Sequence, residues 1–326
     1  MLLDNFHRNH NYLRISLTDN CNFRCTYCMP DEDMQFHPED KLMQADEIFS
    51  FAKIFTDLGV NKIRLTGGEP LVRKDAEQII TQLATLKTDL SITTNAFLVD
   101  RYISTFQKAG MRSLNVSLDT LDADKFAMIT RRNKFNTIWN NIELLLAANF
   151  HVKLNCVVMR GVNDAEINDF VQLTKNLPLH IRFIEFMPFT GNHWQHEKVF
   201  TYHQMLETIA NEFEFIKLQD GKHDTAKKYK ALNHAGTFAV ISTMSAPFCS
   251  SCTRMRLTAD GKMKNCLFSK TETDLLSALR NGEDIESLIR KNILDKKGML
   301  GGQFTPQFQE IDAEEIKNRS MISIGG

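Results

Sequence analysis

Residues 21–28, Cys-Asn-Phe-Arg-Cys-Thr-Tyr-Cys, place three thiols within eight positions. A short loop with that spacing can wrap three thiolates around one inorganic centre. Three thiolates suit a [4Fe–4S] cube, in which each sulfur takes one iron and the fourth iron stays open to a substrate or cofactor. Zinc is the competing reading, with His37 as the nearest downstream fourth ligand, although zinc usually takes four protein ligands in a closed site. Reduced, uninvolved thiols are the blandest reading.

A second group repeats the theme near the other end. Cys249 and Cys252 have two residues between them, and Cys266 follows after thirteen more. Asp260-Gly261 is a hairpin signal, and folding the chain back there brings Cys266 toward Cys252. Three ligands without an obvious fourth cysteine again suit an iron–sulfur cube with an open iron, and zinc completed by His223 or His234 is the alternative. Arg254 and Arg256, two apart on a strand, share a face, and planar guanidinium groups bind phosphate through paired hydrogen bonds.

Composition narrows the setting. The chain has 326 residues, 43% of them hydrophobic, and a net charge of -1. That is material for two domains, or for a barrel-sized domain with an extension. The balance gives no global basic field for nucleic acid, so an anion site must come from local cations. Charges interrupt every apolar run, which predicts no membrane span, and the N-terminal residues lack the order of a secretory signal. Seven cysteines, two tight groups and a lone Cys156, fit a cytoplasmic metal protein better than a disulfide framework. Cys156 reads as a small core residue.

The elements that must position these groups follow from periodicity. Strands are expected at 12–18, 61–66, 90–95, 112–119, 151–158 and 180–186, with helices near 44–58, 73–87, 99–109, 135–149 and 164–176. Such βα repetition predicts a parallel sheet with right-handed crossovers. Parallel strands buried on both faces normally read as continuous apolar runs. Here Leu13, Ile15 and Leu17 alternate with Arg14, Ser16 and Thr18, and Ile63 and Leu65 alternate with Lys62, Arg64 and Thr66. The strands at 112–119 and 151–158 repeat the pattern. One polar, basic face per strand, all turned into a shared interior, predicts an α/β fold with an incomplete (βα)6 TIM-like barrel around a charged ligand. Residues 1–190 form this barrel. Residues 191–326 form an extension carrying the hairpin and the second Fe–S site, with residues 217–236 a solvated connection and helices near 271–280 and 283–295. Functional residues in βα folds gather where strands end. The cysteine loop follows the first strand there, and Thr66-Gly67-Gly68-Glu69-Pro70 ends the second.

C-x3-C-x2-C with Tyr27 before the last cysteine, followed by the GGEP segment, resembles the radical S-adenosylmethionine (SAM) enzymes. The second cysteine group, the paired arginines and the terminal Gly325-Gly326 narrow the likeness to the GTP 3′,8-cyclase branch of molybdenum cofactor biosynthesis, from about residue 13 onward. The resemblance implies two [4Fe–4S] clusters, one on Cys21, Cys25 and Cys28 and one on Cys249, Cys252 and Cys266. It implies SAM at Tyr27, Gly68, Ser117 and Met187. It places GTP at Arg14, Arg64, Thr93, Lys153, Arg182, Arg254 and Arg256, with Gly325 and Gly326 reaching into the same cavity. Cys21, Cys25, Cys28 and Arg14 form the implied catalytic set. The implied reaction takes hydrogen from C3′ of the GTP ribose and joins C3′ to C8 of guanine, with an external electron donor. Ala96 stands where the family commonly has Gly. The oligomeric state stays open, a homodimer included. Two other functions compete: a radical SAM enzyme that modifies a peptide, and a non-enzymatic zinc or Fe–S binding module.

Overall fold

The computed structural model describes the chain apart from residues 31–33, 306, 313, 314 and 326. Six strands form where alternation predicts them: β1 (Tyr12–Ser16), β2 (Lys62–Thr66), β3 (Asp89–Thr94), β4 (Ser113–Ser117), β5 (His151–Val158) and β6 (His180–Glu185). They pair in chain order and all in parallel. Helices Ala45–Asp57, Ala76–Ala84, Ile103–Lys108, Phe135–Ala147 and Ile167–Leu173 cross between them. The apolar residues of each strand, Leu13, Ile15, Ile63, Leu65, Leu114 and Leu154 among them, are fully buried in one core with Phe51, Phe55 and Phe106 of those helices. Alternation has sorted the side chains, apolar outward under the helices and polar inward.

The C-terminal part extends this sheet at both edges. Its strands are β7 (Phe215–Lys217), β8 (Lys227–Ala231), β9 (Thr237–Ile241), β10 (Arg254–Leu257), β11 (Lys262–Lys264) and β12 (Thr273–Asp274). β9 pairs in parallel with β6, and β10 in parallel with β1. The order is therefore β12-β11-β10-β1-β2-β3-β4-β5-β6-β9-β8-β7, an open, incomplete barrel lengthened beyond its six βα units. The predicted hairpin is present, with Arg256 opposite Lys264 and Leu257 opposite Met263. Helices Leu275–Arg280 and Ile285–Leu294 follow it.

Three stretches differ from the sequence reading. Residues 217–236 are not merely a solvated connection, since β8 lies within them and buries Tyr229 and Ala231. Lys228 and Lys230 alternate with those core residues, and Lys228 lines the barrel interior. Helix Ala123–Thr130 is capped by Asp122, whose carboxylate accepts the Lys125 N–H at 2.7 Å. Helix Tyr202–Ala210 opens on a capping box of Thr201 and Gln204. Capping signals of this kind precede a helix in sequence, and both helices went unread.

Candidate active site

The first cysteine loop leaves the C-terminal end of β1. The GGEP segment is tied to that loop by backbone bonds, Gly68 N–H to Thr18 O at 2.8 Å and Glu69 N–H to Asn20 O at 2.9 Å. A Cβ on Gly68 would collide with the carbonyl oxygens of Asp19 and Asn20, so only glycine permits this approach. Glu69 is fully buried and accepts from Thr94 Oγ1 at 2.8 Å, Asn95 N–H at 2.7 Å and Leu71 N–H at 3.1 Å. Asn95 in turn brings Nδ2 to 2.7 Å from Asn22 Oδ1 and 4.0 Å from Cys21 Sγ. A line of contacts thus runs from Glu69 through Asn95 to the first thiol.

Tyr27 donates its hydroxyl to Asp119 Oδ2 at 2.7 Å. Tyr27, Ser117 and Cys25 line one small cleft of about 30 Å³. Burial pushes the Cys21 and Cys28 thiols up to about 12, with Glu69 adding to the first and Cys21 and Asp119 to the second. Burial also raises the two carboxyls, Glu69 to about 7 and Asp119 to about 6, although each accepts hydrogen bonds.

Inside the barrel lies a chamber of about 650 Å³ lined by Arg14, Lys62, Arg64, Lys153, Arg182, Lys228, Arg254 and Arg256. Among its described lining residues Asp224 is the one carboxylate, and it is paired with Lys228 at 2.5 Å. Strand register explains the crowding: Arg14 stands beside Arg256 on one side and Arg64 on the other. Adjacent strands are about 4.8 Å apart, and like charges at such a distance repel by roughly 3 kcal/mol at an effective dielectric of 20. Burial and mutual repulsion hold Arg14, Arg182 and Arg256 below the ordinary guanidinium range. They bring Lys153 down to about 8, with Arg182 and then Arg64 the charges that repel it most. Nε of Arg14, Arg64 and Arg182 and Oδ1 of Asn155 are buried without a partner. Unpaired donors and uncompensated cations mark a site for a polyanion, since isolated buried charge is otherwise costly. Thr93 also lines the chamber.

Cys249, Cys252 and Cys266 line the same chamber. Cys252 lies two residues before the start of β10, whereas Cys21 follows the end of β1. Because these strands are parallel neighbours, the two cysteine groups lie at opposite ends of the barrel. Lys296 is buried with Nζ 3.9 Å from Cys252 Sγ and 3.1 Å from Arg254 O. Burial alone would raise the Cys252 thiol, but Arg254 and Lys296 bring it down to about 6. Leu300 N–H points at Cys249 Sγ, 3.4 Å away. Such donors favour thiolates, and thiolates are what an iron–sulfur cluster requires. Among the described residues no three His, Cys, Asp or Glu side chains gather about a point fit for a single metal ion. A cube takes each sulfur on a different iron, so its ligands stand farther apart than those of one zinc. His37 is held through Nδ1 by Asp19 at 2.7 Å and His234 through Nδ1 by Thr174 at 2.8 Å. His223 lines the chamber and bonds Ser251 O at 3.1 Å.

The C-terminal tail turns into the barrel. Gly325 has a left-handed φ of +79°, and a Cβ there would lie 2.6 Å from Thr66 Oγ1, so the position suits glycine alone. Its carbonyl accepts a hydrogen bond from Arg256. Arg319 anchors the tail from outside through Asp260 and Glu272, each at 2.7 Å. Gly326 lies outside the described residues.

The structure therefore gathers ten predicted residues in one chamber: Arg14, Arg64, Thr93, Lys153, Arg182, Arg254, Arg256, Cys249, Cys252 and Cys266, with Met187 on the same wall. Tyr27 and Ser117 share the separate small cleft beside Cys25. Tyr12, Asp119 and Lys296 were not singled out by sequence, and Lys62 and Glu69 were named only within a polar strand face and the GGEP segment. Lys62 carried a readable signal, its place on the polar face of β2; Lys296 carried none, because a lysine at the end of a helical pattern is ordinary.

The radical SAM superfamily profile matches residues 15–174, and the profile described as Molybdenum Cofactor Synthesis C matches residues 179–299. The chain is 44% identical over its whole length to "GTP 3′,8-cyclase, mitochondrial" of Arabidopsis thaliana, covering 84% of that protein. It is 43% identical to "Molybdenum cofactor biosynthesis protein 1" of Dictyostelium discoideum, spanning about half (52%) of that relative's length. Its fold is similar to that of Streptococcus suis SuiB bound to S-adenosylmethionine, with a TM-score of 0.61 at 16% identity, covering 86% of this chain and 68% of that one. With cysteine loops at both ends of an incomplete barrel and this degree of identity, the chain belongs to the GTP 3′,8-cyclase family of radical SAM enzymes.

Proposed function

We propose that the protein converts GTP to (8S)-3′,8-cyclo-7,8-dihydroguanosine 5′-triphosphate. The observation that carries this reading is the chamber: eight cations face one paired carboxylate, and Cys249, Cys252 and Cys266 stand at its wall. A polyphosphate neutralises the cations, and a cluster held by Cys249, Cys252 and Cys266 would supply a coordination position for the guanine edge. A peptide-modifying enzyme has no use for so concentrated a charge.

Residues 1–190 hold SAM and the first cluster through Cys21, Cys25 and Cys28; bound there, they supply the radical that takes hydrogen. Tyr27, Gly68, Ser117 and Met187 are the positions for SAM. Residues 191–326 grip the nucleotide through Cys249, Cys252 and Cys266. Arg14, Arg64, Lys153, Arg182, Arg254 and Arg256 orient the triphosphate so that C3′ faces the radical source, and Thr93 borders the same space. Holding the reacting atoms in place and excluding water is the protein's main catalytic contribution. Gly325 borders the space beside Arg256. Cytoplasmic location, an external reductant and the absence of nucleic-acid partners complete the reading; a homodimer would need only mass measurement.

Anaerobic reconstituted protein with reductant, SAM and GTP should yield 5′-deoxyadenosine and the cyclised nucleotide in equal amounts. SAM cleavage without any cyclised product from GTP would refute the assignment of substrate.

A further inference from the structure

Tyr12 belongs to none of the positions that the family likeness supplies. It sits at the start of β1 between Arg254 of β10 and Lys62 of β2 in strand register. Its ring lies 5.6 Å from the Arg14 guanidinium carbon, 5.4 Å from that of Arg64 and 5.5 Å from Lys62 Nζ. Cations within about 6 Å of an aromatic centroid are attracted to its face, so one ring braces three charges that would otherwise spread apart.

The hydroxyl is the more telling atom. Tyr12 lines the chamber with its Oη buried and in no hydrogen bond of good geometry, and the group that approaches it, the Arg14 guanidinium, can only donate. The charged groups around it, Arg14, Lys62, Arg64 and Arg254, are donors without an acceptor atom. A phenol proton there has nothing in the protein to bond to. An unmade buried hydrogen bond is costly, and the group that satisfies it must bring an acceptor. A phosphate oxygen does so, and the same cations attract it.

We propose that Tyr12 is a substrate-positioning residue: its hydroxyl donates to the nucleotide polyphosphate while its ring holds Arg14, Lys62 and Arg64 in their binding arrangement. This rests on the nucleotide reading above and adds a residue and an atom to it.

The test uses the anaerobically reconstituted protein and calorimetric titration with GTP, GDP, GMP and guanosine. Tyr12→Phe keeps the ring and removes only the hydroxyl. It should weaken GTP about tenfold and leave guanosine unchanged, with KM raised and kcat within about twofold. The member of the series at which the loss first appears identifies the phosphate contacted. Tyr12→Leu, which also removes the platform, should lose more. Equal affinity of Tyr12→Phe and the natural protein for GTP would overturn the proposal, as would an equal loss for GTP and guanosine, which would make the hydroxyl merely structural. If the natural protein itself bound guanosine as tightly as GTP, the nucleotide reading would fall first and the role of Tyr12 with it.

Discussion

The two cysteine groups use the same ligand type in opposite electrostatic settings. Around Cys21, Cys25 and Cys28 the buried ionisable neighbours are carboxyls, Glu69 and Asp119, and burial drives the thiols up. Around Cys252 they are cations, Arg254 and Lys296, and the thiol is brought down. Metal binding would therefore supply most of the driving force for deprotonation at the first site, while at the second the protein already supplies part of it for Cys252, although burial raises Cys249. The arrangement suits a division of labour. A site that handles SAM needs space and shape; a site at the wall of a polyanion chamber shares the cations that bind the substrate.

Exchanging single cysteines should break the comparison most severely. Cys21→Ala should abolish 5′-deoxyadenosine formation while GTP still binds, and Cys266→Ala should spare SAM cleavage while stopping cyclisation. Chromatographic assay of both products on each variant checks this; loss of both activities in both variants would mean that the two sites do not act separately.

Lys296→Met sharpens the point, because it removes a cation from the second site and keeps the side chain's bulk. Iron should fall from about eight to about four per chain, with 5′-deoxyadenosine still formed. Full iron content in this variant would show that Cys252 needs no neighbouring charge.

The chamber's charge should also be visible as a pH effect. Lys153 is depressed to about 8 in the free protein, and a bound phosphate favours its charged form. It is charged below that pH and neutral above it, so GTP affinity should be greatest below pH 8 and fall above it. Between pH 7 and pH 9 Lys153 alone should account for about a tenfold fall, one proton's worth of linkage. Tyr12, which burial would raise but the surrounding cations bring down to about 8, adds to it. Lys153→Arg should reduce the slope. A flat profile by titration calorimetry would exclude Lys153 from the phosphate site.

The smallest effect concerns the turn after β3. Ala96 has a left-handed φ of +62° and is fully buried, an arrangement that disfavours a residue with a Cβ. Glycine there relieves the strain but gains freedom in the unfolded chain. Ala96→Gly should therefore stabilise by at most about 1 kcal/mol, measured by denaturant unfolding, with catalysis unchanged.

Much of this was legible in the sequence because a parallel sheet translates alternation directly into faces. Arg14, Arg64 and Lys153 alternate with Leu13, Ile63 and Val152, and strand register sets Arg14 beside Arg64 and Lys153 beside Asn115. The hairpin was legible for the same local reason, although its turn spans 258–261, closed by Gly261 N–H to Thr258 O at 2.9 Å. β9 was missed: Phe238, Ala239 and Val240 are all buried, so the strand shows no alternation. Lys296 and Glu69 depend on tertiary packing. A lysine following helix Ile285–Leu294 and a glutamate after two glycines become site residues only once the strands bring Cys252 and Asn95 to them.

The central claim is that one end of the barrel makes a radical that reaches the nucleotide held at the other. GTP carrying deuterium at C3′, turned over anaerobically with SAM and followed by mass spectrometry, tests this directly. The account predicts 5′-deoxyadenosine with one deuterium, formed in step with a cyclised nucleotide that has lost it. Unlabelled 5′-deoxyadenosine beside a product that retains the label would contradict it.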